Sequence, residues 1–379
     1  MLDRISFMKM QKIWRTLLLS YFLLKWGVIV FAAELTVSLD NPPTTGTVIF
    51  MLFDSANTFS DLRDPVKISK QSMGDRKIYL LEDVPHGEYA LIVYYDENDN
   101  DLIDKNFIGI PKEPIGFSNR YEPKGPPSYS RAAFLLREGE SPHFDVKLNR
   151  PLGKRGRLGL GVGVIARSSP YRDYNGSVSQ VIPAIAYNGE CIQIFGPNIQ
   201  IGLVGSGKLR LAATGKYRIG VYDEDESDFL IGMGDRKDTF MLGLALQAEL
   251  SGGVDLSVGF EHDVLNEIGG SEASLDLDKS FQFGVFRLSP ELGLNWSSSE
   301  LSNHDFGVSS SKATPDRPFY YFDDTISIEG GIGMFIKIAR DWLVIARASV
   351  EKLAGRVNDS PIVEKGYVMK GFFAINYQF

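Results

Sequence analysis

The chain has 379 residues, of which 44% are hydrophobic and 23% charged, and its formal net charge at pH 7 is -8. This is the composition of a folded protein and excludes a disordered or collagen-like chain. The acidic balance argues against nucleic acid as a partner, because phosphate binding needs an excess of Lys and Arg. One Cys and four His exclude an internal disulfide and leave little material for a zinc site.

The N-terminus predicts a secretory signal peptide, because a basic segment, 1–15, precedes an apolar segment, 17–31, and small residues follow. We expect cleavage after Ala32, which makes residues 1–32 the signal peptide, with a later methionine as an alternative start. The alternative interpretation is an uncleaved anchor, but Lys25 interrupts the apolar run. Beyond this segment no apolar run approaches the roughly 18 residues of a membrane-spanning helix, which excludes a polytopic helical protein.

Residues 33–148 predict a small β-sandwich, in which short strands alternate with turn-rich segments. In 46–53 both alternating faces are apolar, with Val48 and Phe50 on one face and Ile49 on the other. This pattern is typical of a strand buried between sheets. Strands are predicted over 35–39, 46–53, 77–81, 88–95, 132–136 and 144–148. The basic stretch 149–156 contains Pro and Gly, has no periodic face and predicts a linker.

Residues 157–379 predict a transmembrane antiparallel β-barrel, because their strands are long and alternate strictly between an apolar and a charged face. In 208–221, Leu209 and Leu211 lie on the apolar face and Arg210 on the other. Such strands suit a lipid-facing wall around a polar lumen. The same period of two occurs in 158–167, 240–250, 253–263, 281–285, 288–296, 326–338 and 342–351. A soluble sandwich also alternates, but it does not explain this strand length repeated so often.

The connections between these strands predict the orientation of the barrel. Long polar connections fall at 168–177, 223–238, 297–324 and 352–365, and short ones at 187–190, 205–207, 251–253, 287–290 and 339–341. In bacterial barrels the outer loops are long and the periplasmic turns are short. The two classes alternate correctly only if Gly196-Pro197-Asn198 is an outward hairpin that divides 190–204 into two short strands. The barrel then has about twelve strands and both of its ends in the periplasm.

The last strand carries an insertion signal on one face, formed by Phe373, Ile375, Tyr377 and Phe379. A terminal aromatic with this alternation resembles the C-terminal signal of bacterial outer-membrane barrels. We therefore expect a Gram-negative outer-membrane protein whose N-terminal domain lies in the periplasm. The expected fold class is all-β, with an immunoglobulin-like or transthyretin-like sandwich followed by a barrel of about twelve strands.

Charged residues on the inner face predict a mixed-charge lumen. The expected lumen charges are Lys208, Arg210, Lys216, Arg218, Arg347 and Glu261. In a narrow barrel such charges form a packed network of ion pairs, and the alternative is a selective pore. Gly159, Gly161 and Gly163 lie on the inner face of the first barrel strand, where small residues let the lumen pack.

An acidic loop in the sandwich carries oxygen ligands at positions 1, 3, 5, 7 and 9 of a calcium loop, namely Asp96, Asn98, Asn100, the carbonyl of Leu102, and Asp104. Against calcium, Asp101 occupies the sixth position, where Gly is usual, and Phe107 the twelfth, where Glu closes the shell. The alternative is an Asx-rich loop held by hydrogen bonds from side chains to the backbone. No other cofactor is expected.

The barrel resembles the MipA/OmpV family of outer-membrane proteins from about residue 158 to the end. The best local marks are the sequences at 171–174, 183–187 and 306–309, the last followed by Ala313 and Tyr320. The resemblance implies a scaffold in peptidoglycan metabolism that holds a lytic transglycosylase and a penicillin-binding synthase together. Other members resemble adhesins or are linked to osmotic and antibiotic stress. The family supplies no catalytic residues, and we expect no enzymatic activity.

The N-terminal domain has its own resemblance. The sequence Pro85-His86-Gly87-Glu88-Tyr89 resembles a segment of transthyretin-like and carboxypeptidase-regulatory-like sandwiches. The span to residue 148 resembles secreted domains whose function is not established. Two function classes follow for the whole chain: an envelope-organising scaffold in the outer-membrane lipid, or a small pore or transporter.

Overall fold

Two β-structures follow one another in the computed structural model of the chain, which describes residues 33–74, 77–123, 125–153, 155–174, 177–339 and 341–379. The predicted signal peptide, 1–32, lies outside the described residues. None of the helices in these ranges is long and apolar enough to cross a membrane.

The first structure is a sandwich of two sheets. Its elements are β1 (Ala33–Leu39), β2 (Thr47–Phe53), α1 (Ala56–Asp61), β3 (Lys67–Ser72), β4 (Ile78–Val84), β5 (Gly87–Asp96), β6 (Ile115–Phe117), α2 (Tyr129–Ala132), β7 (Ala133–Leu136) and β8 (His143–Val146). One sheet has the order β4-β1-β8 and the other the order β3-β2-β5-β6, with β7 also paired to β5. The pairing of β1 with β8 is parallel.

β2 is buried on both faces, as its sequence indicates. Phe50 and Leu52 join the core between the two sheets. Ile49 and Phe53 join a second core on the opposite face, where Phe59 of α1 packs edge-on against Phe53 with ring centroids 5.6 Å apart. A helix and loops, rather than another sheet, therefore cover the second face.

The second structure is a closed antiparallel barrel. Its strands are β9 (Arg157–Ser168), β10 (Ser177–Asn188), β11 (Ile192–Phe195), β12 (Asn198–Val204), β13 (Leu209–Arg218), β14 (Thr239–Glu249), β15 (Val254–Asp263), β16 (Ser271–Lys279), β17 (Phe281–Phe283), β18 (Phe286–Ser297), β19 (Thr325–Lys337), β20 (Trp342–Lys352) and β21 (Tyr367–Gln378). β17 continues β16 past Ser280, since both pair with β18. With β21 paired to β9, the described residues form a ring of twelve strands, which confirms the predicted architecture.

The connections fall into two sets at opposite ends of the barrel. The short-turn end carries the chain termini of the barrel and turns of two to four residues, and the long-loop end carries the longer connections. The two-residue turn Gly196-Pro197 of the β11–β12 hairpin also points toward the long-loop end. Helix α3 (Ser299–Phe306) and short 3-10 helices at Glu224–Glu226, Ser310–Lys312 and Gly355–Asp359 fold within the long loops. Two further 3-10 helices, Ser118–Arg120 and Ser251–Gly253, lie in the sandwich and in a short turn.

The prediction of a turn at 287–290 is wrong, because these residues lie inside β18 and pair with β19. The turn is instead Gly284-Val285, which joins β17 to β18. Gly284 has φ +58°, a left-handed conformation that suits a tight hairpin. Pro290, which suggested a turn in the sequence, is accommodated inside the strand opposite Ile332.

Candidate functional site: the lumen and its two closures

Small residues and an amide side chain pack one side of the lumen near the short-turn end. Gly159 and Gly161 of β9 face inward, and an added Cβ would lie 2.1 Å from Asn376 Oδ1 and 1.9 Å from Ile375 O, respectively. The bare backbone lets the side chain of Asn376 pass over β9 and donate from Nδ2 to Ala184 O at 2.8 Å. The glycines of β9 therefore allow a hydrogen bond inside the lumen that joins β21 to β10 across β9.

Two cations of β13, Lys216 and Arg218, are paired with acids on three other elements. Lys216 Nζ lies 3.3 Å from Glu261 Oε2 and also contacts Glu272 of β16. Arg218 lies 2.6 Å from Asp305 of α3, so a long loop bends back to supply a lumen partner. Each pair crosses between elements that the ladder does not join directly.

A second network lies across β18 to β21. Arg347 Nε is 2.6 Å from Glu291, and its Nη2 is 3.3 Å from Glu329. Lys370 lies 2.7 Å from Glu329 and 2.8 Å from Glu351. The acids thus alternate with the cations, so that each charge has an opposite neighbour.

Five of the six expected lumen charges form ion pairs in the structure. Among them, Arg210 pairs with Glu249 at 2.6 Å. Lys208 differs, because it is exposed in the turn before β13. The acids Glu249, Glu272 and Asp305 were missed. Glu272 lies on the strand that the sequence prediction omitted, and Asp305 lies in a loop whose path the sequence does not indicate.

A loop of the sandwich closes the short-turn end of the barrel. This plug loop, residues 97–114, places Phe107 against Ala212 and Ala245 of the lumen wall. Arg210 Nε donates to Phe107 O at 3.2 Å, and Lys105 N donates to Ser206 O at 2.7 Å. Both apolar and backbone contacts therefore hold the loop in the mouth.

Glu249 at the end of β14 fastens the sandwich to the barrel. Its carboxylate pairs with Arg210 of the barrel and with Lys105 and Arg63 of the sandwich, the last two at 3.0 Å each. Arg63 also reaches Asp255 at 2.7 Å. The carboxylate and Lys105 are each only 6% exposed. The joint is thus a desolvated cluster rather than a set of surface contacts.

Helix α1 extends this attachment along the rim to β17 and β18. Asp61 pairs with Arg287 at 2.8 Å, and Gln282 N donates to Asn57 Oδ1 at 3.0 Å. Burial raises the pKa of the Asp61 carboxyl, although Arg287 and Arg63 oppose this. Lys105 Nζ also donates to Asp61 O at 3.4 Å, so the α1 contacts and the Glu249 cluster form one continuous attachment.

The long loops close the other end with a hydrophobic core of their own. Its buried members are Tyr171, Tyr174, Val221, Tyr222, Leu230, Met233, Phe306, Val308, Phe322, Leu353, Val357, Ile362, Val363 and Val368. Arg317 is buried beneath them and donates to Phe229 O at 2.6 Å. Burial raises the pKa of the Tyr222 hydroxyl to about 12. The long loops therefore form a packed cap that covers this end of the barrel.

The residues expected at calcium positions converge around Asp104. Asn98 Nδ2 and Asn100 Nδ2 donate to its two carboxylate oxygens at 2.9 and 3.0 Å, and Asp101 N donates to Asp96 Oδ2 at 2.8 Å. Leu102 is half exposed and contributes its N–H to Asn100 Oδ1. In the described ranges no group of three or more His, Cys, Asp or Glu is arranged to hold a metal. Calcium binding stays a prediction.

A further acid, Glu113, lies beneath this loop and was missed by the sequence prediction. Glu97 N and Asp104 N each donate to its carboxylate at 2.9 Å. Burial nevertheless raises its pKa to about 7, and the nearby Asp104 and Asp96 add to the effect. The plug loop therefore contains, beneath the acidic loop, a carboxyl group that changes charge near neutral pH.

The insertion-signal residues lie on the outer face of β21. Phe373 and Phe379 are exposed on the wall, and Tyr377 packs edge-on against both Trp342 and Phe379, with ring centroids 5.2 and 4.9 Å apart. Phe379 N donates to Leu158 O at 2.9 Å. This aromatic cluster lies at the short-turn end, where an interfacial girdle belongs.

A closed twelve-stranded antiparallel barrel with an apolar outer wall defines an integral outer-membrane protein. Residues 160–379 match the family described as MltA-interacting protein MipA, and the chain belongs to this family. Residues 39–143 match a family described as uncharacterized protein conserved in bacteria (DUF2141). The transthyretin-like resemblance of this domain stays a prediction.

Among named relatives, outer membrane protein Omp26La of Vibrio anguillarum is 33% identical over 143 residues, which are 38% of this chain and 55% of that protein. The chain thus spans about half the length of this relative. The MltA-interacting protein of Escherichia coli K12 is 28% identical over 233 residues, 59% of this chain and 91% of that protein. A loop-deletion mutant of OmpT, an outer membrane protein of Vibrio cholerae, is a structural neighbour at 11% identity, with 89% of this chain and 99% of that chain covered and a TM-score of 0.26.

Proposed function

We propose that the protein is a non-conducting outer-membrane scaffold, which holds its sandwich at the periplasmic face for partners that remodel peptidoglycan. The observation that carries this proposal is the closure of the lumen at both ends, with the sandwich itself forming one of the closures. A barrel closed in this way serves as an anchor rather than as a passage.

The fixed position of the sandwich supports docking. A domain on a flexible linker samples many orientations, whereas this domain is held by the Glu249 cluster and by the adjoining pair of Asp61 with Arg287. A fixed domain presents one surface to a partner and loses less freedom on binding. The paired lumen charges add rigidity and leave few unpaired groups to select ions.

The class of partner rests on the relatives. One relative is named for its interaction with MltA, and a lytic transglycosylase is therefore the first partner to test. A penicillin-binding synthase is the second, since the family resemblance joins these two activities. The surface available to them is the part of the sandwich that does not contact the barrel.

The alternative function is a small pore lined by the charges of the lumen. The two are distinguished by planar-bilayer conductance of the purified protein together with affinity capture from envelope extract. We expect no steady conductance and retention of a peptidoglycan enzyme on immobilised protein. Stable channels whose ion selectivity changes in Lys216→Glu, with no captured enzyme, would establish the pore instead.

A further inference from the structure

The barrel wall is incomplete beside the β11–β12 hairpin. β10 pairs with β9 along its whole length, but on its other side it pairs with β11 only over 186–188. The last hydrogen bond on that side runs from Gly196 N to Ile185 O, at 2.9 Å. Within the part of the chain that the structure describes, no strand pairs with 177–184 on this side.

The gap is large and uncovered. Residues 177–184 amount to about 26 Å of strand at roughly 3.3 Å per residue. The gap lies toward the long-loop end, between β10 and β13, with the hairpin tip Gly196-Pro197 as its floor. Gln180, which shares the inner face with Ile182, is exposed, and Val181 on the outer face is 69% exposed. No described loop therefore covers this edge.

Pro183 argues against a partner strand at this edge. Backbone groups alternate between the two sides of a strand in an antiparallel ladder. Because Ile185 O points toward the hairpin side, the backbone groups of Pro183 and Val181 point toward the gap. Proline has no N–H to offer a ladder and blunts an edge against strand addition. The gap is therefore unsuited to pairing with another chain.

An apolar surface lies just inside the gap. Phe195 of β11 and Phe372 of β21 contact each other with ring centroids 5.7 Å apart. β9 and β10 separate these two strands in the ring, so the rings meet inside the lumen. The ring of Phe372 lies over Gly163, where an added Cβ would be 3.4 Å from Cε2. Phe195 remains 42% exposed. This apolar surface contrasts with the charged lumen wall on the opposite side.

We propose that this gap is a lateral opening which admits one acyl chain of an outer-leaflet lipid, with the chain lying on Phe195 and Phe372. Lipid is the occupant because the gap lies in the membrane-spanning wall and toward its outer end, where lipid is the neighbour. Hydrocarbon cannot satisfy the unpaired backbone groups of β10, so the polar part of the lipid and water lie along that edge. The opening does not depend on the scaffold proposal, since a bound lipid requires no conduction.

The test measures contact between a lipid chain and the inner surface. The full chain with Cys191→Ser carries one new cysteine, labelled with a bimane fluorophore, in phosphatidylcholine vesicles. The probe is phosphatidylcholine with a nitroxide on its acyl chain, which quenches the fluorophore on contact. Phe195→Cys is the test position. Lipid-facing Leu244→Cys is the positive control, and Asn295→Cys, on the inner face of paired strands, is the negative control.

We expect quenching at Phe195→Cys close to that at Leu244→Cys and several-fold stronger than at Asn295→Cys. Ile182→Cys, opposite Gly163, gives a second reading if Phe195→Cys does not fold, as judged by heat-modifiable migration. Quenching at both positions no stronger than at Asn295→Cys would mean that the wall is sealed, by a second copy or another strand, and would overturn the proposal. Quenching by nitroxide-labelled stearic acid but not by the phospholipid would mean that the opening takes a free fatty acid, and would overturn the assignment to an outer-leaflet lipid.

Discussion

At the scale of single residues, the joint between the domains depends on one carboxylate with three cationic partners. Glu249→Gln keeps the shape and removes the charge that Arg63, Lys105 and Arg210 share. Breaking a buried ion pair costs about 3–5 kcal/mol. We expect the sandwich to detach while the barrel stays folded, and limited proteolysis should then cut the plug loop at least several-fold faster.

The matched control for this variant is Lys237→Gln, which breaks an exposed pair with Glu267. Exposed pairs contribute about 0–1 kcal/mol, so its digestion pattern should match that of the wild type. Equal protection of the plug loop in Glu249→Gln and Lys237→Gln would show that the cluster does not hold the domains together.

The acidic loop gives a second prediction at this scale. If Asp96, Asn98, Asn100 and Asp104 hold Ca²⁺, the melting temperature of the sandwich should rise with calcium, and a hundredfold excess over the dissociation constant gives about 2.7 kcal/mol. Glu113 has a pKa of about 7 and is an anion above that pH. The calcium effect should therefore be larger at pH 8 than at pH 6.

Two variants define the outcome of the calcium experiment. Asp96→Asn should abolish the shift, because it removes a charge at the first ligand position. Asp99→Asn, an exposed acid of the same loop between ligand positions, should retain it. An unchanged melting temperature at millimolar calcium would assign the loop to the Asx-rich alternative.

At the scale of elements, β21 both closes the ring and carries the aromatic cluster at its end. Replacing Tyr377 and Phe379 with Ser removes the cluster with Trp342 and the terminal aromatic of the insertion signal. We expect most of the chain to remain uninserted and lose its heat-modifiable migration. Phe283→Ser, which removes an exposed aromatic from the same end of the barrel, should insert normally. Normal insertion of the double variant would refute the role of the terminal strand.

Strand periodicity predicted most barrel elements, and the elements it missed have physical reasons. The Gly196 hairpin followed from the alternation of loop lengths alone. In β16, Ala273, Leu275 and Leu277 alternate with polar residues that face the lumen, so the strand signal was present in the sequence. The turn predicted at Pro290 divided β18 into two strands, and the expected number of strands was therefore reached without β16. β3 was missed because Ile68 is its one large apolar residue, as an edge strand permits.

At the scale of the whole molecule, the closures could not be predicted because they join distant parts of the chain. Phe107 meets Ala212 and Ala245 through docking of the sandwich, which no local pattern encodes. The inner face of the barrel was predictable from its period of two, but the partners of its charges were not, since Asp305 reaches Arg218 from a long loop. Periodicity specifies which face a residue occupies, and tertiary packing specifies its partner.

The orientation of the molecule in the membrane gives the last prediction. The long loops and the sandwich lie at opposite ends of the barrel, and outer loops in such barrels are long. Epitope tags inserted after the exposed residues Asp225 and Asp316 should therefore be labelled by antibody on intact cells. A tag after Gly139, an exposed turn residue of the sandwich, should be labelled only once the outer membrane is permeabilised. Because the sandwich is fastened to the short-turn mouth through Glu249 and Asp61, it cannot lie outside while the long loops also lie outside. Labelling of the Gly139 tag on intact cells would reverse the orientation and remove the periplasmic docking role with it.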